Sequence, residues 1–257
     1  GVHIGFHDVF QSLRHHMMPG GKMNSVIQPS LDQIIWQIRL PRAIMAILSG
    51  SLLATAGVTL QSLLQNPLAD PYTVGVSSGA AIGAILADLT GLSLLLGGLG
   101  GPFLSIIFGM AAVVIVISLA KKDGKLKTDT FLLAGVVVGT LLWSIIPLLL
   151  MIAHRSNDYS KVLFTILGSL QSADWSRVVL LLPTLALTVM LLLPISRELN
   201  VMSFGEESAH SIGVNVEKTK WKLIGVCALM TGTVVSMCGI IAFVGLITPH
   251  IARRTAG

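Results

Sequence analysis

The sequence predicts an all-α membrane protein, a bundle of helices that each cross the bilayer. Only 11% of the 257 residues are charged and 53% are hydrophobic, whereas a soluble domain is usually about 25% charged. Apolar stretches of about 20 residues, the length that spans a bilayer, recur along the chain. The 26 glycines favour close packing between membrane helices.

Six apolar stretches are long enough to be spans, and all but one of them lack charged residues. The exception contains Asp88, which we expect to mark a loop between two helices. The stretches are residues 43–64, 74–101, 102–120, 131–152, 178–195 and 223–249. They predict one transmembrane domain over residues 1–257, with six to eight spans.

The basic residues predict how the bundle is oriented. Short cytoplasmic loops are enriched in Lys and Arg. Basic side chains flank residues 197–222, and one short loop holds four lysines within seven residues, Lys121, Lys122, Lys125 and Lys127. We therefore expect both connections in the cytoplasm. Residues 1–42 are polar enough to form a loop and are expected on the extracytoplasmic side.

A polar cluster closes the first predicted span. Gln61 and Gln65 lie one helical turn apart, and Asn66 and Pro67 follow them. Side-chain amides are costly within a span unless they are paired, and a proline disfavours helical backbone at the residue before it. Two interpretations stay open, a turn held by its amides or an inner-face turn beside a transport pathway.

A second irregular segment follows the last apolar stretch. Gly239, Gly245 and Pro249 interrupt apolar sequence, and His250 follows the proline. Non-helical backbone at membrane depth is tolerated only inside protein or beside a water-filled cavity, so we expect a broken or re-entrant helix. We expect His250 to act as a hydrogen-bonding partner rather than as a catalytic group or a metal ligand.

A short helix is predicted within the cytoplasmic connection 197–222. Gly205 suits the entry turn, Glu206 suits the first turn of a helix, and Gly213 suits its C-terminal stop. Two interpretations stay open here as well, a solvated connector or a docking surface for a cytoplasmic partner.

Several classes of function are disfavoured by the residues present. The sequence has no P-loop motif, no H-E-x-x-H motif and no paired-cysteine motif, so we expect no cofactor, no bound metal and no enzymatic activity. Cys227 and Cys238 lie three turns apart on one predicted helix, which is too far for a disulfide. Carboxylates are scarce within the spans, which argues against a proton-driven transporter and for an external energy source.

Ordered motifs along nearly the whole chain resemble the FecCD permease family. They are IRLPR at 38–42, SGSLLATAG at 49–57, NPLADPYTVGVSSGA at 66–80, LGSL at 167–170, FGE at 204–206 and FVGLITPHIAR at 243–253. The resemblance implies a ten-span membrane subunit of an importer for iron-siderophores, haem or vitamin B12, in the bacterial cytoplasmic membrane. It also implies a fragment that lacks the first span and the last ones. Residues 237–242 depart from the family, which often has a Gly-Pro-Ile-Gly run there.

The resemblance further implies partners and roles. Arg39 and Arg42 would dock an extracytoplasmic substrate-binding protein, and a second permease subunit would complete the channel within the lipid bilayer. A cytoplasmic ATP-binding subunit would engage the coupling loop through Gly205, Glu206, Ala209 and Gly213. Pathway or inner-turn candidates are Gln61, Asn66, Pro67, Pro249 and His250.

The substrate expected is an iron-siderophore complex, with haem and vitamin B12 as alternatives within the family. Two other classes are weighed against this one. An ion-coupled secondary transporter would place acids within its spans, and an intramembrane enzyme would pair His250 with a nucleophile or a metal. Neither pattern stands out in the sequence, and nucleic acid is not an expected partner.

Overall fold

The computed structural model describes residues 5–17, 29–122, 125–126, 128–155, 159–202 and 204–256, and most of these are helical. The elements are α1 (Phe6–Met17), α2 (Pro29–Gln33), a π-helix (Ile34–Arg39), α3 (Leu40–Leu64), α4 (Val76–Leu89), α5 (Leu92–Leu95), α6 (Gly100–Ala120), β1 (Lys121–Lys122), β2 (Lys125–Leu126), α7 (Thr128–Arg155), α8 (Tyr159–Leu167), α9 (Trp175–Met202), α10 (Glu206–Ser211), α11 (Val216–Cys238) and α12 (Val244–Ala256). The lysine-rich loop forms a two-residue antiparallel hairpin, although Lys127 lies outside the described residues.

The prediction of an all-α membrane bundle is confirmed. Among the described residues, five helices are long and apolar enough to cross a membrane. They are Pro29–Leu64, Gly100–Ala120, Asp129–Ala153, Trp175–Met202 and Val216–Cys238, and α4 adds a shorter apolar helix. α11 is the most enclosed of the five and packs against α3, α4, α6 and α9.

The expectation that residues 1–42 form a loop was wrong for the part of that segment the structure describes. α1 is helical, and residues from Pro29 onward form one continuous helix through Leu64. A proline clashes with the carbonyl one turn before it in an α-helix, and Pro41 stands at this point. The π-helical stretch keeps the helix continuous before this proline, because the Leu40 N–H donates to the carbonyl of Ile35, five residues earlier.

The predicted span 74–101 is also corrected. α4 ends at Leu89 and covers only 14 residues. Gly91, Gly97 and Gly98 then adopt positive φ, which turns the chain around the short helix α5. Asp88 lies in the last turn of α4, beside this loop as expected, and its Oδ1 accepts a hydrogen bond of 2.9 Å from Ser93 Oγ.

Small residues set the closest helix packing. An added Cβ at Gly79 would lie 2.5 Å from the Phe108 carbonyl oxygen, and one at Gly83 would lie 2.3 Å from that of Leu104. The backbones of α4 and α6 therefore touch along the glycine pair that the sequence places four residues apart. This contact fixes α4 in the bundle interior, where Gly79 and Gly83 are buried.

Two ends of the bundle can be distinguished by their contacts. At the first, which we call the Arg42 end, the Trp175 Nε1–H donates to the Trp36 carbonyl over 3.0 Å. At the other, the Gln65 end, Gln65 Nε2 donates to the Met202 carbonyl over 2.6 Å. α3 and α9 therefore run in the same direction, as the predicted orientation requires. The assignment of the Gln65 end to the cytoplasm stays a prediction from charge.

Candidate functional site

The backbones of α3 and α12 cross at Gly57 and Gly245. A Cβ added to Gly57 would lie only 1.8 Å from the Gly245 carbonyl oxygen, and one added to Gly245 would lie 2.9 Å from the Leu53 carbonyl oxygen. No other residue type fits at Gly57 without a shift of the main chain. The pathway candidates of the sequence, Gln61 and Pro249, flank this crossing.

α12 reaches the crossing through a break that the sequence predicted. α11 ends at Cys238, and Gly239 adopts φ of +70°. In the extended segment that follows, the Ile240 N–H donates to the Thr165 carbonyl over 2.9 Å. Phe243 then adopts φ of +67°, which is unusual for a bulky residue, and α12 begins at the next position.

Arg177 holds the end of α11 beside this break. Its Nη1 donates to the Met237 carbonyl and to Ser172 Oγ, both over 2.6 Å. Its guanidinium lies 5.6 Å from the centre of the Phe164 ring, within cation–π distance. One half-buried side chain thus ties the start of α9 to α8 and to the carbonyl end of α11.

The Gly245 carbonyl links Gln61 to Pro249. In an α-helix the Gly245 carbonyl would accept from the N–H of residue 249, but proline has no N–H. Gln61 Nε2 donates to that carbonyl instead, in a long hydrogen bond of 3.4 Å. Gln61 Oε1 in turn accepts 2.7 Å from Arg253 Nη2. The buried amide therefore replaces the missing helical donor and fixes α12 against α3.

The turn after α3 is held by amides, the first of the two interpretations. α3 ends at Leu64, and Gln65 adopts the left-handed conformation with φ of +49°. The Leu68 N–H donates to Asn66 Oδ1 over 2.9 Å, a local turn typical of asparagine. Pro67 is exposed beside it. A pathway role for Asn66 and Pro67 stays a prediction.

Pro249 and His250 face different surroundings. Pro249 is buried, whereas His250 is exposed on α12. Among the described residues, the only cluster of three or more potential metal ligands is elsewhere, at His15, His16 and Asp32. His250 therefore has no neighbouring ligand set in this part of the chain.

The two predicted docking arginines differ in their contacts. Arg42 is half-buried, and its Nε and Nη2 donate to the carbonyls of Leu170 and Gln171 over 3.2 Å and 3.3 Å. Arg39 is the last residue of the π-helix and is exposed. The Arg42 guanidinium thus holds the loop before α9 in place. Arg39 is the more accessible of the two arginines.

The coupling loop contains the short helix α10 that the sequence predicted. Gly205 and Gly213 bound it with φ of +114° and +88°, values that favour glycine. Ala209 is fully buried, which anchors the helix on the bundle. The side chain of Glu206 lies outside the described residues.

Two exposed apolar side chains flank α10 and were missed by sequence reasoning. Phe204 is 82% exposed and Ile212 is 65% exposed. Apolar residues within an otherwise polar connection were the available signal. Arg253 was also missed as a partner of Gln61, because no local pattern in the sequence connects residues 192 positions apart.

A cavity of about 520 Å³ lies near the Arg42 end, away from the α3–α12 crossing. Its walls carry charged and hydroxyl side chains, including Asp88, Ser93, Arg177 and Ser236. None of the pathway candidates from the sequence lines it. The cavity is therefore a feature of one subunit that the sequence did not indicate.

Helices of membrane length, with a break between α11 and α12, define a multi-pass membrane protein rather than a soluble domain. The chain belongs to the FecCD transport family, which matches it over residues 1–257. It is accordingly an ABC-importer permease of the cytoplasmic membrane and not an enzyme.

Three comparisons illustrate the similarity. The chain is 39% identical over 258 residues to the "Uncharacterized ABC transporter permease protein YvrB" of Bacillus subtilis (strain 168), which covers all of this chain and 72% of the relative. It is 38% identical over 224 residues to the cobalamin import system permease protein BtuC of Halobacterium salinarum, covering 87% of this chain and 59% of the relative. A solved structure, described as "An inward-facing conformation of a putative metal-chelate type ABC transporter", is 30% identical with a TM-score of 0.77, covering 97% of this chain and 79% of the other.

Other relatives, between 31% and 35% identical, are named for the transport of different substrates. Their names refer to molybdate import, iron uptake, hemin transport and Fe(3+) dicitrate transport. These relatives are all longer than the chain, which spans 67% to 69% of their length. Membership of the family thus does not by itself select one substrate.

Proposed function

We propose that the protein is the permease subunit of an importer for iron-siderophore complexes. Substrate passes between this subunit and a second permease subunit, and a separate cytoplasmic ATP-binding subunit supplies the energy. Family membership and the relatives named for iron uptake and Fe(3+) dicitrate transport support this proposal. Haem and vitamin B12 are the alternative substrates, since other relatives are named for them.

The strongest support for the proposal is the surface around α10. Phe204 and Ile212 are exposed at its two ends, while Ala209 is buried beneath it. Exposed apolar side chains grouped on one surface are typical of protein interaction sites. A short helix that offers apolar groups and is held rigidly to the bundle is suited to insert into a groove of the ATP-binding subunit.

The α3–α12 crossing supports a role in the pathway. Exposed Ile247 and Ile251 lie four residues apart on one side of α12 and form an apolar stripe, and exposed Phe243 directly precedes the helix. We assign this stripe to the side facing the second subunit, where movement of α12 would open the channel. Gln61 would hold α12 in place through the Gly245 carbonyl.

We propose that the substrate-binding protein docks at the Arg42 end. Arg39 is exposed at this end, and an arginine guanidinium suits bidentate contact with a glutamate carboxylate. Arg42 contributes by holding the Leu170–Gln171 loop in place. Docking at this end and ATP-driven movement at the Gln65 end are then coupled through the length of α3.

The test uses the full-length protein reconstituted in liposomes with its ATP-binding subunit and its substrate-binding protein. We expect ATP hydrolysis stimulated by the binding protein, and uptake of a ferric siderophore but not of hemin or cobalamin. Phe204→Ser should reduce association with the ATP-binding subunit and lower the stimulated hydrolysis. Leu94→Ser is the matched control, because Leu94 is also 82% exposed but lies in α5.

The outcomes separate the candidate functions. Uptake of hemin or cobalamin alone would keep the permease assignment and replace the substrate. Uptake driven by an ion gradient, without association with any ATP-binding subunit, would replace the proposal by a secondary transporter. If Phe204→Ser and Leu94→Ser reduced association with the ATP-binding subunit equally, α10 would not be the docking surface.

A further inference from the structure

A cluster of metal-binding side chains lies at the Arg42 end and has no role in the proposed transport cycle. It consists of His15 and His16 on α1 and Asp32 on α2. One ligand atom from each residue lies within 4.8 Å of the other two. His16 Nε2 and Asp32 Oδ2 already approach to 3.0 Å. Two helices therefore converge on one point through groups that bind metal.

The neighbouring side chains orient these ligands. Ser12 is fully buried, and its Oγ donates to Asp32 Oδ1 over 2.6 Å, while Oδ2 is the oxygen that faces His16. The Trp36 ring stacks on the His16 ring with centroids 4.1 Å apart and planes 10° apart. Stacking fixes the plane of the imidazole but leaves its nitrogens, which lie in that plane, accessible at the edge. Such outer contacts are what orient ligands in metal sites.

The ligand set selects a class of ion. Two imidazoles and one carboxylate suit borderline divalent ions such as Zn²⁺. Zinc–ligand distances of about 2.0–2.2 Å place tetrahedral donors about 3.3 Å apart. In this structure the three ligand atoms lie within 4.8 Å of one another, so metal binding requires them to move closer together. Three protein donors leave the fourth position for water.

We propose that His15, His16 and Asp32 bind a divalent transition-metal ion of the zinc class, which clamps α1 onto the start of the first span. Trp36 connects this clamp to α9, because its ring lies 5.0 Å from that of Trp175 and its carbonyl accepts from Trp175 Nε1. The ion therefore stabilises the surface on which Arg39 is exposed. This site is independent of the transported substrate and goes beyond the proposed function.

The test is a binding measurement on the full-length protein in lipid nanodiscs, freed of metal and held at one fixed pH near neutrality. Titration with Zn²⁺ against a chromogenic chelator should show one strong site per chain. His15→Ala, His16→Ala and Asp32→Asn should each weaken binding by at least about tenfold, and Ser12→Ala by about tenfold. His7→Ala is the matched control, since His7 lies on the same helix outside the cluster.

A second measurement separates metal binding from folding. Zn²⁺ should slow hydrogen exchange of the α1 amides in the wild type and in His7→Ala, but not in Asp32→Asn, which keeps the shape of the side chain. Equal zinc affinity in the wild type and in His16→Ala would overturn the proposal. So would a loss in His7→Ala as large as that in His16→Ala. Transport activity enters neither measurement, so the result does not depend on which substrate is carried.

Discussion

Gln61 donates its side-chain amide to the carbonyl of Gly245, the helical acceptor that Pro249 leaves without a donor. The two helices involved are separated by most of the chain, and their backbones touch at Gly57 and Gly245. A carbonyl without its helical donor and a buried amide are each costly alone. Together they satisfy one another, which holds α12 against α3 although the helix contains a proline.

This pairing predicts a specific coupling between two substitutions. Gln61→Ala should lower the free energy of unfolding by about 1–3 kcal/mol, because it leaves a buried carbonyl unpaired. In a Pro249→Ala background, residue 249 regains its N–H, and the same Gln61→Ala change should cost less. A double-mutant cycle of unfolding in detergent micelles measures the difference. Strictly additive costs would contradict the assignment.

The glycine crossing predicts a sharp contrast between two positions in α3. Gly57→Ala should reduce the unfolding free energy by about 3 kcal/mol or more, because its Cβ would meet the Gly245 carbonyl rather than a flexible side chain. Gly50→Ala should be neutral or stabilising, because nothing lies within 4 Å of the added Cβ. Thermal unfolding of both purified variants checks this, and equal melting temperatures would refute it.

The two arginines of the Arg42 end should separate stability from docking. Arg42→Ala removes two charge-assisted hydrogen bonds to backbone carbonyls, and we expect a loss of about 1.5–3 kcal/mol in unfolding free energy. Arg39→Ala should change stability by less and instead weaken binding of the substrate-binding protein. Unfolding and binding measured on the same preparations distinguish them. The effect of Arg39→Ala on binding should shrink at high salt.

Arg177 should be required for the break between α11 and α12. Arg177→Leu removes the donors to Met237 and Ser172, so we expect a loss of about 1.5–3 kcal/mol in unfolding free energy. Faster hydrogen exchange should be confined to residues 237–243 and the start of α9. Arg197→Leu, near the other end of α9, serves as the control. Exchange that is unchanged near Gly239 would contradict this role.

Sequence patterns predicted those parts of the protein that depend on neighbouring residues. Apolar runs without charge indicated the spans, and glycines and prolines indicated the break near Gly239 and the bounds of α10. These features follow from backbone freedom and from the cost of burying charge, which act over a few residues. The same local reasoning failed for residues 29–42, where the polar composition led to the prediction of a loop. The structure has a helix there, which continues through a π-helical stretch beside Pro41.

Which side chains meet depends on the tertiary structure. Gln61 was predicted as a polar residue that needs a partner, but its partner lies 184 residues away at Gly245. Long-range packing also brings Arg42 to the Leu170–Gln171 loop. In the same way it places His15 and His16 beside Asp32. Local sequence is sufficient to predict a bundle of membrane helices with breaks, since each helix satisfies its own backbone hydrogen bonds. Long-range packing determined how those breaks are satisfied, because side-chain pairing depends on which helices become neighbours.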